Sequence, residues 1–439
     1  MKASSRFLNI SHGFPSVAVL MFLVIPTVLS AQLLVDCSGA DPNAFPNINS
    51  ALPFATPGSS IIVSGTCNEN VTLQGQNGLN LGAWWGQTAN LNGNVSILNS
   101  QLVYIYGLNV SNASGDGFLV ASSKSVVLDT CSSNGNAGVG LNVTGMSDVI
   151  ASSPAAFDNN SNGGINVSAN SNLYLAAWNG LIDISNNVGP GIFVTQATLT
   201  SLGHTTIANN RFGSFLYSGY GLDLRGGAKV QFGAISGPNI LQGNQSGGAS
   251  LQENSALSFW TGGQQNLIQA NGPVGISAGL GSQVTIFNSV QIADHTGPAV
   301  DLYANSQAFL FGQNQILRNG TAADPLSAAI RVDGNSQALL RGGDISQNNG
   351  PAILALMNSS VDFSGVNFSG NTGGIITCDS TAAMISDLAR PDTTSSAGVR
   401  CKTPHALGNR LISKLQPTAP DLSASKVLQA KYRKLATRH

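Results

Sequence analysis

Charge is what this sequence has least of. Asp, Glu, Lys and Arg make up 9% of its 439 residues, against about 25% in a typical soluble domain. The eight Lys and Arg spread over residues 31–399 are too few for the basic surface that nucleic acid requires, so no nucleic-acid partner is expected. Histidine is sparse too. His204, His295 and His405 stand alone, without the paired spacing of a metal site, so neither metal nor cofactor is expected. Neither a Gly-x-Ser-x-Gly elbow nor a phosphate-binding loop occurs. Past residue 30 no apolar run approaches the roughly 20 residues that cross a bilayer as a helix. The lack of charge does not mean disorder, because apolar residues reach 42% and alternate with period two.

What fills the space is a repeat. The polar load falls on Asn, Ser, Thr, Gln and 51 glycines, arranged in units of 22 to 30 residues. Taking the first aliphatic or aromatic residue after each small-residue turn, the marks are Phe118, Leu141, Ile165, Ile192, Leu222, Ala249, Ile276, Val300, Ile330, Ile353 and Ile375, eleven units in all. A fixed period of this size is the signature of a solenoid. Serine opens a second strand in successive units at Ser255, Ser282, Ser306, Ser336 and Ser359. A third apolar run follows, as at Leu267-Ile268, Ile316-Leu317 and Ile345. Asparagine closes the unit at Asn160, Asn187, Asn210, Asn244, Asn271, Asn319, Asn349 and Asn371, with His295 in the same column. Asparagine tolerates the left-handed backbone and bonds locally, so it suits a sharp bend. Three short alternating strands per unit predict an all-β fold, a single-stranded parallel β-helix of eleven or more coils, right-handed as parallel crossovers are.

The ends read differently. Lys2 and Arg6 precede an apolar run from Val17 to Leu29 and then Ser30-Ala31, the pattern of a secretory signal peptide over residues 1–30. That run is interrupted by Pro26 and is too short for a span. The expected location is therefore secreted, periplasmic or cell-surface. Residues 31–72 are predicted to cap the first coil, with Phe45, Ile48, Leu52 and Ala55 at helical spacing. The β-helix is expected over 73–386, and a linker with a basic tail over 387–439. Residues 31–399 hold 19 acids against 8 Lys/Arg, net −11, whereas 400–439 hold 9 Lys/Arg against 1 acid, net +8. In the tail, 406–415 and 421–435 have helical patterns, the second with Leu428, Tyr432 and Leu435 on one face. Five cysteines in an exported chain invite pairing. Cys37–Cys67 and Cys378–Cys401 would each staple one end, leaving Cys131 as a buried apolar residue.

The run Val-Asp-Cys-Ser-Gly at 35–39, Ile-Asn-Ser-Ala-Leu at 48–52, Pro-Gly-Ser-Ser-Ile-Ile-Val-Ser-Gly-Thr-Cys at 57–67 and Glu-Asn-Val-Thr-Leu at 69–73 resembles the opening of right-handed β-helix proteins of the pectin-lyase-like superfamily. The coils from Leu73 to Met384 extend the resemblance. It implies the fold, and it implies a polysaccharide or cell-surface glycan as partner. It does not imply one activity, because a fold hosts many chemistries. The Asn-Thr-Asp, Asp-Asp, His-Gly and Arg-Ile-Lys patterns of polygalacturonases are all missing, and the acids are too dispersed for a pectate-lyase calcium site.

Two outward-facing groups remain as candidates. On the first strand of each unit, Asp223, Arg225, Asp301, Tyr303, Arg331 and Asp333 point outward. Asp301 and Arg331 fall on neighbouring coils, about 4.8 Å apart along the axis, and Asp301 and Asp333 about 8 Å apart at the backbone. Carboxylates at about 6.5–9.5 Å suit an inverting glycoside hydrolase, with Asp301, Arg331 and Asp333 as its catalytic face. On the second strand, Trp260, Phe287, Phe311 and Arg341 follow inward-facing Phe259, Ile286, Leu310 and Leu340. They predict an exposed row about 14 Å long that would bind a sugar chain together with Tyr303, unless the C-terminal helix covers it. Arg341 would pair with a uronate carboxylate. Three readings therefore stay open: a binding protein without catalytic machinery, a polysaccharide-cleaving enzyme, and a purely structural surface protein.

Overall fold

The computed structural model describes residues 31–386 apart from 85, 214–217, 322–326 and 380. The expected signal peptide, Cys401 and the expected tail lie outside the described residues. Thirteen strands, from Val71–Gln74 to Ile376–Cys378, stack in parallel into one narrow sheet. The other strands, two from most coils, form a broad sheet of 26. The result is the all-β parallel solenoid expected, and two of its coils precede the first mark read from the sequence.

The register follows the repeat. Val71, Val95, Phe118, Leu141, Ile165, Ile192, Leu222, Ala249, Ile276, Val300, Ile330 and Ile353 are aligned rung on rung. The next rung is Ile376, not Ile375. A similar slip occurs in the asparagine column, where Asn348 is fully buried and Asn349 is exposed. Both errors sit at doublets, Ile375-Ile376 and Asn348-Asn349. Identical neighbours give no compositional hint of which one faces in, and one residue of slip swaps the faces of a strand.

Inside, side chains stack on their own kind. Phe232 lies on Phe259 at 5.3 Å between centroids with the rings 16° apart, and each buried aliphatic rung contributes about 1.5–3 kcal/mol. Polar columns stitch the bends. Asn160 accepts at Oδ1 from the backbone N–H of Asn136 (3.1 Å) and from its Nδ2 (3.0 Å), while its own Nδ2 donates to Ser133 O and Asn187 Oδ1. Asn187, Asn210 and Asn244 continue the pattern to Asn271. The serines do likewise: Ser255 N–H donates to Ser282 Oγ and Ser306 N–H to Ser336 Oγ. These bonds satisfy backbone groups that the bends would otherwise leave buried and unpaired.

At the N-terminal end a short helix, Ile48–Ala51, closes the first coil. Asn47 caps it through Oδ1 to Ser50 N–H, and the Glu69 carboxylate takes the free N–H groups of Ile48 and Asn49 at 2.6 and 3.0 Å. Ile48 and Ala51 are fully buried against the core. The Cys37–Cys67 bridge is present, with Cα atoms 5.1 Å apart. Cys131 is free and buried. Among the described residues no helix is long and apolar enough to cross a membrane.

Candidate functional site

The narrow sheet presents its most chemically varied outer surface between Tyr220 and Asp333. Along one outward column the register runs Asp223, Ser250, Ser277, Asp301, Arg331. Strand alternation puts every one of these outside because Leu222, Ala249, Ile276, Val300 and Ile330 fill the core. The two serines in the middle are small, and so are Gly247 and Gly279 beside them. Into that space two tyrosines lean from opposite ends. The Tyr220 ring lies over Gly247, where an added Cβ would fall 2.6 Å from Cε1. The Tyr303 ring lies over Gly279, where an added Cβ would fall 2.3 Å from Cε2. Any other residue at either glycine would lift its ring off the sheet. Gln252 Nε2 donates to Tyr303 Oη at 2.5 Å and fixes that ring.

Charge on this face is largely paired within itself. Arg331 grips Asp301 through two parallel bonds, Nε–Oδ1 2.7 Å and Nη2–Oδ2 2.9 Å. Arg225 does the same to Asp223 two residues away, at 3.0 and 2.8 Å, and its guanidinium stands 5.6 Å above the Phe193 ring centre. Ser218 Oγ adds a bond to Asp223 Oδ2 at 2.8 Å. Such fork-to-fork pairs hold both partners in one geometry. Asp333 has no ion pair among the described residues, and its Oδ1 is buried without a hydrogen-bond partner.

The environment acts on proton affinities here. Burial pushes the Asp301 carboxyl up; the Arg331 guanidinium opposes this, and the Asp333 charge reinforces it. Burial also raises Tyr220, helped by the nearby Tyr303, Asp223 and Asp301. One set of neighbours therefore links both tyrosines with both aspartates. Among the described residues the grouping with metal-ligand geometry is Cys37, Cys67 and Glu69. Its sulfurs are bonded to each other, and its carboxylate is taken by helix N–H groups.

Of the residues singled out from sequence, Asp301, Arg331, Asp333 and Tyr303 come together on this face. Sequence reasoning placed Asp223 and Arg225 outward but missed Tyr220 and Gln252 as members. The signal was available: the turn into this face is long from Asn210 to Leu222 and from Asn319 to Ile330, against Asn244 to Ala249. The described end of the first turn reaches the site, where Ser218 Oγ bonds Asp223.

The second-strand row has the register expected, Trp260 beside Phe287, Phe311 and Arg341. Its exposure does not match. Trp260 is buried, its indole lying across Gly233 of the preceding coil, where an added Cβ would fall 2.3 Å from the ring. Arg341 pairs end-on with Asp362 on the next coil, through Nη1 and Nη2 at 3.1 and 2.7 Å. Phe287 and Phe311 stack on each other at 5.5 Å and are half-buried.

Neither a protein-family model nor a curated protein matches the chain. Among solved structures it is similar to the A-module of the Azotobacter vinelandii mannuronan C-5 epimerase AlgE4. The TM-score is 0.51 at 12% identity, covering 78% of this chain and 94% of that one. The A-module of AlgE6 from the same organism matches with TM-score 0.45 and 13% identity over 78% and 94%. The receptor-binding protein of bacteriophage Det7, a podoviral tailspike in a myovirus, matches with 0.43 and 11% over 84% and 78%. Likeness at such low identity speaks of fold, and the AlgE4 module carries it: this chain has the fold of a right-handed parallel β-helix.

Proposed function

We propose that this protein is exported and binds a polysaccharide along the outer face of its narrow sheet, over the coils from Tyr220 to Asp333. The observation that carries the reading is the pair of tyrosine rings packed against Gly247 and Gly279. Ser250 and Ser277 lie in the column between the two Asp–Arg pairs. Flat rings offer apolar surface to the faces of sugars, and the part-exposed Arg225 and Arg331 guanidinium groups, fixed by their aspartates, offer hydrogen bonds to hydroxyls. Five coils at about 4.8 Å give a track about 19 Å long. The mannuronan C-5 epimerase module of similar fold is compatible with such a ligand. The signal-peptide pattern and the Cys37–Cys67 bridge support export.

A panel of immobilised polysaccharides, screened with the purified protein, tests this directly. For the glycan that binds, Tyr303→Ala should weaken affinity about tenfold, or about 1.4 kcal/mol. Unchanged binding by both Tyr303→Ala and Tyr220→Ala would remove the site.

Cleavage on the same face is the second reading, favoured by the unpartnered Asp333 Oδ1 and by the raised proton affinity of Asp301. Asp301 would supply a proton and Asp333 would orient water, while Arg331 holds Asp301 in place. Product release from the bound glycan that survives in Asp333→Ala would end this reading and leave binding intact.

A further inference from the structure

The outer face of the broad sheet carries a second apolar cluster, separate from the core. Val127, Ile150, Tyr174, Leu202 and Trp260 belong to it. Val127, Ile150 and Tyr174 are stacked in one outward column, and Leu202 and Trp260 stand in the next, with Gly233 between them. Their side chains point away from the core, yet they are 1–8% exposed. The described residues hold no helix beyond the N-terminal cap. Two polar atoms in this stripe, Tyr174 Oη and Trp260 Nε1, are buried without a hydrogen-bond partner. Unpaired buried donors each cost about 1–3 kcal/mol.

An acidic fringe borders the stripe. Asp129 stands on the coil before Ser152 and accepts from Ser152 Oγ at 2.5 Å and from Tyr104 Oη. Asp158 and Asp183 follow on the adjoining strands of the same sheet. None of the three is in an ion pair among the described residues.

We infer that the basic C-terminal segment of this same chain docks on this stripe. Three observations select it as occupant. The segment 400–439 carries net +8 and faces a body of net −11, and the fringe supplies carboxylates without basic partners. Residues 421–435 place Leu428, Tyr432 and Leu435 on one helical face, with Lys426, Lys431 and Lys434 interspersed. Fifteen residues of helix span about 22 Å, close to the roughly 29 Å of six coil spacings between the Tyr104 and Trp260 strands. The chain also leaves from the correct sheet, because the last described strand, Ala383–Ser386, pairs with Ser360–Ser364 in the broad sheet. From there to residue 421 it has over 30 residues, reaching about 110 Å if extended, against about 24 Å of coil spacings back to Trp260. The apolar face of the helix would cover the stripe, and its lysines would meet Asp129, Asp158 and Asp183.

Zero-length carbodiimide cross-linking of the full mature chain, followed by peptide mapping, reads this contact. The expected links join Lys426, Lys431 or Lys434 to Asp129, Asp158 or Asp183. Hydrogen exchange of residues 421–435 should be slowed at least tenfold relative to a peptide of the same sequence. The triple change Lys426→Glu, Lys431→Glu and Lys434→Glu lies outside the solenoid. It should abolish the links and the protection while leaving the circular dichroism of the β-helix unchanged. Peptide-like exchange, or links that run to Asp223, Asp301 or Asp333, would overturn the proposal. So would links found only between isotopically distinct copies in a mixed sample, which would make the occupant a second molecule.

Discussion

Replacing His295 with asparagine should stabilise the protein. His295 stands where the buried asparagine column has its one histidine. On the coil before, Asn271 Oδ1 accepts from Asn244 N–H at 3.1 Å and from Asn244 Nδ2 at 2.8 Å. At the next step His295 has no carboxamide oxygen to repeat this for Asn271. Its ring nitrogens lie 3.2 Å from Asn271 O and 3.1 Å from Ile268 O. Both neighbours are acceptors, and a neutral imidazole has one N–H, so one contact goes unmade. Protonation would satisfy both, but burial lowers the pKa below the ordinary value of 6.5. Asparagine would restore two bonds from Asn271 and keep donation to Ile268 O and Asn319 Oδ1. Two net hydrogen bonds at about 1 kcal/mol each, less about 1 kcal/mol for lost ring packing, leave a gain of about 1 kcal/mol at pH 7.5. The unfolded chain takes up a proton near pH 6.5 and the folded one does so only lower. The wild type therefore loses stability as pH falls through 6.5, and the variant does not. Urea midpoints by circular dichroism at pH 7.5 and pH 5 should show a gap that widens in acid. A variant less stable than wild type, or a gap equal at both pH values, would refute the reasoning.

Other outcomes follow from the same packing. Non-reducing peptide maps should recover Cys37 with Cys67, and Cys37→Ser with Cys67→Ser should cost about 3–4 kcal/mol from a closed loop of about 30 residues; Cys131 found in a bridge would contradict the assignment. Gly233→Ala should drive the Trp260 indole off its seat, detected as red-shifted, more quenchable tryptophan emission, and an unchanged spectrum would show that the ring is held otherwise. Burial, with help from Asp183, raises the Asp158 carboxyl to about 6, so the folded state holds its proton more tightly than the unfolded one. The stability this contributes is present below about pH 4 and is lost as pH rises toward 6. With Lys426, Lys431 and Lys434 changed to Gln, so that no tail lysine compensates the charge, Asp158→Asn should therefore raise the urea midpoint above pH 6 and leave it nearly unchanged at pH 4.

The solenoid was legible because every coil repeats the same physical problem, and the sequence repeats its solution. Inward aliphatics at Val300 and Ile330, serines at Ser306 and Ser336, and asparagines at Asn244 and Asn271 are each visible as columns in the sequence. Legibility failed where composition is degenerate, at Ile375-Ile376 and Asn348-Asn349. It failed differently at the surface. Outward direction follows from alternation, so Asp301 and Arg331 were placed correctly. Exposure does not follow from it, because a glycine on the neighbouring coil opens a slot that pulls an aromatic ring down, as Gly233 does for Trp260 and Gly279 for Tyr303. Pairing between coils was invisible for the same reason: Arg341 reaches Asp362, 21 residues on, which no pattern of single residues announces.

The rung-on-rung register has a consequence for how the molecule is made. Leu73 pairs with Ile97, and Ile97 with Val120, so each layer needs only its predecessor as a template. The helix Ile48–Ala51 covers the first layer and leaves a single growing front. Assembly can therefore be vectorial, N-terminus first, each layer zipping down while the chain behind it is still emerging. A deletion of one whole period should then shorten the rod by one layer and leave the rest intact, whereas a deletion of half a period should halt the front where it falls.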